Sequence, residues 1–245
     1  MKKILYFSLL LVCIACNVES ERNPKEYLKD VAKHLGKDKM NNTTVTFDVN
    51  DMIYESKRTG NGYHFSMTRT LDTTTFQAKA YNGGFEYTEN GIPKNYGFQN
   101  LQVEKQLLAI NHFMEIPMLF IDDNSAIITQ KNPVIIDNKN YLLFHVKYES
   151  LMPTDLISNY YLYIQKKEQT VDFIGYDFAP AEDRLFFRES FNRRTVEGIV
   201  FEDYRTFRTK TNGVVMDSLP ILFLRNELDL TAAFKPENVK VSLND

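Results

Sequence analysis

Along most of this chain apolar residues recur at every second position, and in two stretches the spacing lengthens to that of a helix. In "NPKEYLKDVAKHLG" the residues Tyr27, Leu28, Val31 and Leu35 fall on one helical stripe. Asn23 can cap this helix, Pro24 fits its first turn, Glu26 falls at the capping-box position and Gly36 ends it. From Thr43 the period drops to two. Val45, Phe47 and Val49 share a face, as do Tyr63, Phe65 and Met67, then Phe76, Ala78 and Ala80. Asn82-Gly83-Gly84 and Asn90-Gly91 supply the positive φ that tight hairpins need, so this half predicts an antiparallel meander. "NLQVEKQLLAINHFMEIPMLF" interrupts it with a second helix. Asn100 is placed to cap it, Val103, Leu107, Leu108, Ile110 and Met114 are largely on one side, and Pro117 stops it.

A second meander follows. Leu142, Phe144, Val146 and Tyr148 alternate. "SNYYLYIQKKEQTVDFIGYDF" predicts a hairpin turning over Lys166 to Gln169, and "RLFFRESFNRRTVEGIVFEDYRTFR" another turning near Asn192 to Arg194. "LDLTAAFKPENV" offers a short last strand or turn. Helix, strands, helix, strands in this order predict an α+β fold. It would be one curved antiparallel sheet forming an incomplete β-barrel, with two amphipathic helices packed in its hollow.

The first twenty residues have a different character. Lys2 and Lys3 precede an almost unbroken apolar run from Ile4 to Ala15, which has the length of a secretory signal and is too short to span a bilayer. Both cysteines, Cys13 and Cys16, lie at its end. A redox Cys-x-x-Cys needs a strand-to-helix turn in a folded domain, and a zinc site needs a second ligand pair that the chain does not have. Cys13-Ile14-Ala15-Cys16 instead resembles the lipobox of bacterial lipoproteins, with Cys13 where Leu is commonest. The resemblance implies cleavage before Cys16 and acylation of its sulfur; ordinary cleavage after Ala15 is the alternative. The expected domains are a signal peptide over 1–15, a lipidated N-terminus and tether over 16–24, and a folded domain over 25–245.

Composition narrows the function. Loss of Lys2 and Lys3 takes the 29 basic residues to 27 against 32 acidic ones, a net charge of −5, and no basic block survives. Nucleic acid is therefore not an expected partner. There are 18 Phe and 14 Tyr but no Trp, a usage that favours strands. With Cys13 removed and Cys16 blocked, no disulfide is available and the core alone must hold the fold.

Catalytic motifs are absent: no Gly-x-Ser-x-Gly, His-Glu-x-x-His, phosphate loop or dinucleotide fingerprint. His34, His64 and His145 read as solvent-facing or ordinarily hydrogen-bonded. His112 and Glu115 stand at i and i+3 but lack an obvious third metal ligand. Asp122, Asp123, Glu182 and Asp183 read as solvated loop residues rather than a glycosidase pair. Arg193-Arg194 reads as a hairpin tip, free to touch headgroups or a partner. No enzyme activity, cofactor or metal is expected.

The order of elements resembles the LolA/LolB superfamily and lipoprotein relatives of the Bacteroides lineage. The likeness runs over roughly residues 25 to 235. It includes a hairpin in which Tyr161, Tyr163 and Ile164 fill the outgoing strand and Val171, Phe173 and Ile174 the return. The resemblance implies an open barrel with an apolar cavity for acyl chains, in a non-enzymatic binder or carrier of lipid or lipoprotein. It implies anchoring in the outer membrane through Cys16. The segments "IPMLFIDD" and "SLPILFL" are the candidates for a protruding apolar loop of the LolB kind. Phe65, Met67, Phe76, Phe144, Val146, Phe173 and Phe187 are the expected cavity lining, by alternation; the same residue types would equally make a filled core. A structural module with a filled core and no ligand is the alternative function. Asp72-Thr73-Thr74 and Asp217-Ser218-Leu219 resemble acceptors for periplasmic O-glycosylation, implying Thr73 and Ser218 as candidate sites.

Overall fold

A computed structural model describes residues 22–60, 62–148, 159–178 and 182–244. Helix α1 spans Pro24–His34 and is capped as expected: the Asn23 side chain accepts from Lys25 N at 2.9 Å. Strands β1 (Thr43–Val49), β2 (Met52–Thr59), β3 (Gly62–Leu71), β4 (Thr74–Tyr81), β5 (Gly84–Glu89) and β6 (Ile92–Pro93) form the first meander. Helices α2 (Phe98–Glu115) and α3 (Met118–Asp122) follow, separated at Pro117. The second meander runs through β7 (Ala126–Ile136), β8 (Lys139–Tyr148), β9 (Asn159–Gln165), β10 (Thr170–Phe178), β11 (Glu182–Val196) and β12 (Ile199–Thr209). Helix α4 (Leu219–Leu224), β13 (Leu228–Phe234) and β14 (Glu237–Leu243) complete the chain.

The fold class is the one expected, an incomplete antiparallel barrel, but the curved sheet is divided into two of seven strands. Their orders are β14-β1-β2-β3-β4-β5-β6 and β13-β12-β11-β10-β9-β8-β7. The segment read as one last strand or turn makes that division. Its two strands do not pair with each other: β13 edges the second sheet beside β12, and β14 edges the first beside β1. At the other end β6 and β7 are terminal in their sheets and unjoined, so neither sheet closes.

Three apolar clusters organise the interior. The first sheet packs Val45, Phe47, Tyr54, Phe65, Ala78 and Ala80 against Leu107 and Met114 of α2. The helix-facing side of the second sheet packs Phe144, Val146, Leu162, Ile164, Ile174 and Tyr176 against α1, α3 and Phe113 of α2. Helix α2 is thus apolar on two sides because each side meets a different sheet. The far side of the second sheet carries a third cluster, in which Tyr163, Phe173 and Phe187 are covered by Leu219, Leu222 and Phe223 of α4. The central strands of the second sheet are therefore buried on both faces.

Several local expectations are corrected. Asn100 does not cap α2. Gly97 occupies that position, and Asn100 Nδ2 donates to Lys94 O while its Oδ1 accepts from Tyr96 N. The hairpin between β11 and β12 turns at Glu197-Gly198, where φ is 48° and 76°, not at Asn192 to Arg194. Asn192 lies in a bulge inside β11, where the register slips between Phe191 and Arg194. "SLPILFL" and "IPMLFIDD" contribute α4 and α3, not protruding loops. Phe120 and Leu219 in them are fully buried.

Tip and helix are clasped together. Val200 N donates to Leu35 O at 2.9 Å, and buried Lys37 Nζ donates to Val200 O at 2.6 Å. Gly36, at φ +67°, lies directly against the Gly198 carbonyl. On the first sheet, buried Arg58 pairs with Glu115 of α2, bonds Ser56 Oγ, and donates to Asn111 O at 3.3 Å. This fixes the C-terminal half of α2 on β2. Among the described residues no helix is long and apolar enough to cross a membrane.

Candidate functional site

The helix-facing side of the second sheet is unusually aromatic. Tyr176 of β10 stacks on Phe186 of β11 with ring centroids 5.4 Å apart, and it meets Phe113 of α2 at 5.3 Å and Tyr160 of β9 at 6.4 Å. Phe120 of α3 continues the row against Tyr160 at 4.8 Å. Tyr160 and Phe186 are only partly buried, so the row is not sealed along its length. Strand alternation brings these rings together: Tyr176 and Phe186 are direct cross-strand partners, and so are Tyr176 and Tyr160.

One charged residue lies among them. Arg188, two residues beyond Phe186 and opposite Ile174, projects to the same side. Its Cζ is 3.8 Å from the Phe113 ring centroid and 4.5 Å from that of Tyr204 on β12. Its Nε and Nη1 are sealed from solvent and meet no hydrogen-bond partner. Burial pulls its pKa down, opposed by the nearby Tyr176, Tyr204 and Glu202. Glu202 is already engaged, accepting from Tyr204 Oη at 2.5 Å and Arg193 Nε at 2.9 Å. Burial, followed by Glu202, holds the Tyr204 phenol well above its usual range.

The pair read as a hairpin tip is structural. Arg193 bridges Glu202 and Asp172, the latter at 2.8 Å, while Arg194 pairs with Asp203 at 2.8 Å. Asp172 also accepts from Tyr141 Oη at 2.9 Å and Thr170 Oγ1 at 2.6 Å. Burial lowers the Arg193 pKa, but the two carboxylates outweigh it and the net shift is upward.

The seven residues expected to line a cavity are distributed over several places. Phe144 and Val146 lie on the helix-facing side of the second sheet. Phe65 and Met67 belong to the first-sheet cluster, with Phe65 stacked on Tyr63 at 4.6 Å. Phe76 is half-buried on β4, opposite Arg69 and Glu89, outside all three clusters. Phe173 and Phe187 stack on each other at 5.2 Å on the far side, beneath Phe223 of α4. A bulge explains the first of these two. The register slips between Val171 and Phe173, so counting by twos across Asp172 assigns the wrong face. Arg188, Phe113, Tyr176, Phe186 and Tyr204 were not singled out by sequence. One signal was available: Phe186 and Phe187 are adjacent aromatics on one strand, which marks a strand buried on both faces and so puts an inward charge at 188 or 189.

Among the described residues no group of three or more His, Cys, Asp or Glu is placed to hold a metal. Glu115 is held by Arg58, and His145 Nε2 lies 3.0 Å from Asn159 Oδ1. Asp123 Oδ1 caps Ser125. The side chains of Glu182 and Asp183, like Cys13, Cys16 and the expected signal peptide, lie outside the described residues. Thr73 is exposed in the β3–β4 turn; Ser218 is half-buried and donates to Val215 O at 2.8 Å. An open groove of about 560 Å³ at the β2–β3 hairpin, lined by Lys57, His64 and Tyr81 among others, lies on the first sheet and shares no residue with the aromatic row.

A model of a protein family of unknown function, DUF6503, matches residues 2–235. The chain belongs to this family. No curated protein matches DUF6503's member here by sequence. Among solved structures, a LolA superfamily protein from Nitrosomonas europaea is similar with a TM-score of 0.51 and 10% identity, covering 91% of this chain and 94% of that one. A domain assigned to outer membrane lipoprotein sorting, from Vibrio parahaemolyticus, has a TM-score of 0.50 and 8% identity, covering 90% of this chain and 94% of that one. At such identities the likeness establishes the architecture: this DUF6503 protein has a LolA-like fold.

Proposed function

We propose that this protein is a non-enzymatic binder or carrier of lipid or lipoprotein acyl chains, working in the cell envelope and held at the outer membrane by acylated Cys16. The observation that carries the reading is the incompletely sealed aromatic row between α2 and the second sheet, in a barrel whose β6 and β7 edges are unjoined. Exposed apolar side chains at that end support it: Ile92 of β6 is 62% accessible and Phe98 at the start of α2 is 72% accessible. The fold shared with a lipoprotein-sorting domain supports it as well.

Magnitudes suit a carrier. Burying ten CH₂ groups of a chain contributes about 8 kcal/mol. Association and ordering oppose this by about 4–15 kcal/mol. The expected affinity is therefore modest, and a modest affinity permits release. The test is mass spectrometry of lipids that co-purify with the full chain from its membrane, with an unrelated lipoprotein of the same anchor as control. Stoichiometric enrichment of one lipid class over the control supports the reading; identical lipid profiles count against it.

A further inference from the structure

The aromatic row has a polar end that an apolar ligand alone does not explain. Arg188 is the only guanidinium among the described residues that stands over two aromatic rings, those of Phe113 and Tyr204. Its Cζ lies over both rings, and the N–H donors of a guanidinium point outward in its own plane. Of these donors, Nε and Nη1 find no acceptor and no solvent. Glu202, close enough to influence the charge, has its oxygens committed to Tyr204 and Arg193. A buried charge with idle donors is costly to a fold, and a Met or Leu of similar length would pack between the same rings without the cost. Three other buried cations are satisfied: Lys37 by Val200 O, Arg58 by Glu115 and Ser56, and Arg193 by Asp172 and Glu202.

We propose that Arg188 is a headgroup site: it binds the anionic head, a carboxylate or a phosphate monoester, of an amphiphile whose chain lies along Phe113, Tyr176 and Phe186. An idle, desolvated N–H donor beside the aromatic row matches an oxyanion, and the low-dielectric surroundings strengthen such a charge-assisted bond. The chain leaves the head beside Phe186, the next inward residue on β11, and follows the row through Tyr176 toward Tyr160. This inference rests on the carrier reading above and specifies its ligand as an anionic amphiphile.

The test is equilibrium dialysis of the full chain in phosphatidylcholine nanodiscs, with empty nanodiscs subtracted. The probes are radiolabelled palmitate, hexadecyl phosphate, hexadecanol and inorganic phosphate. The wild type is expected to bind palmitate or hexadecyl phosphate about tenfold to hundredfold more tightly than hexadecanol, as one charge-assisted interaction allows. The tighter of the two distinguishes a carboxylate from a phosphate head. Arg188→Met is expected to abolish that preference while binding hexadecanol as before, and Arg188→Lys to restore part of it. Arg188→Met is also expected to unfold at the same or a higher temperature, since it removes two sealed donors that meet no acceptor. A lower melting temperature would assign Arg188 to the fold and overturn the proposal. Equal wild-type binding of all three chains would overturn it too, and leave the carrier reading intact. So would inorganic phosphate bound as tightly as hexadecyl phosphate. Binding of none of the chains would remove both.

Discussion

Replacing Gly36 with alanine tests how the helical layer is fastened to the second sheet. Gly36 has φ +67°, and an added Cβ would fall inside the Gly198 carbonyl oxygen, on the tip of the β11–β12 hairpin. The left-handed conformation alone costs an alanine about 1–2 kcal/mol. Relief of the clash requires the tip to retreat, and Val200 N then loses Leu35 O, a bond worth about 1 kcal/mol. Lys37, 2% accessible, loses Val200 O as its acceptor, which costs about 1–3 kcal/mol more. The expected total is about 3–6 kcal/mol. Gly91 is the control: its φ is +76° and nothing lies within 4 Å of its added Cβ, so Gly91→Ala carries only the conformational cost of about 1–2 kcal/mol. Urea unfolding followed by circular dichroism reads both. Gly36→Ala should lower the midpoint by at least about 1 M more than Gly91→Ala, with slopes unchanged. Equal shifts would show that the close approach of helix and hairpin contributes nothing, and would refute the clasp.

Other perturbations have equally definite outcomes. Asp172→Ala leaves Arg193 with Glu202 and takes the acceptor from Tyr141 Oη and Thr170 Oγ1, and should cost about 2–6 kcal/mol in urea unfolding, at about 1–3 for each stranded hydroxyl. Gly175→Val should loosen α4, because even a Cβ there lies 2.9 Å from Leu219 Cδ1; limited proteolysis should cut between 210 and 218 faster than in wild type. Tyr54 has its pKa pushed up to about 12, first by burial and then by Asp51. The fold thus prefers the neutral phenol, and this contribution is whole below about pH 10 and lost as pH rises from about 10 to 12. Alkaline unfolding should therefore be shallower in Tyr54→Phe by about 2–3 kcal/mol over that interval, measured by urea titrations at fixed pH.

The strands were legible because one face of each carries most of the burial, and β1 alternates between buried and half-buried without a break. The caps of α1 and the turn at Asn90-Gly91 were legible because their chemistry is local. Three features were not. The bulge at Asp172 reverses the faces of β10, and nothing in "TVDFIG" distinguishes it from an even strand. The turn at Glu197-Gly198 competed with Asn192-Arg193-Arg194, whose polarity comes from ion pairs formed with distant acids. The divergence of β13 and β14 into different sheets is tertiary and leaves no local mark. The aromatic site was hidden for the same reason: Arg188 reads as a solvent-facing arginine until Phe113, 75 positions away, is placed over it.

The most direct measurement is the address of a bound chain. Full-chain protein in nanodiscs would be irradiated with a photoreactive palmitate and the adducts mapped by tandem mass spectrometry. The account predicts that labels concentrate on 98–115, 170–178 and 184–204, at Phe113, Tyr176 and Phe186 above all, and that excess unlabelled palmitate displaces them. Labels confined to the far side of the second sheet around Phe173 and Phe223, or spread over the surface and indifferent to competitor, would contradict it.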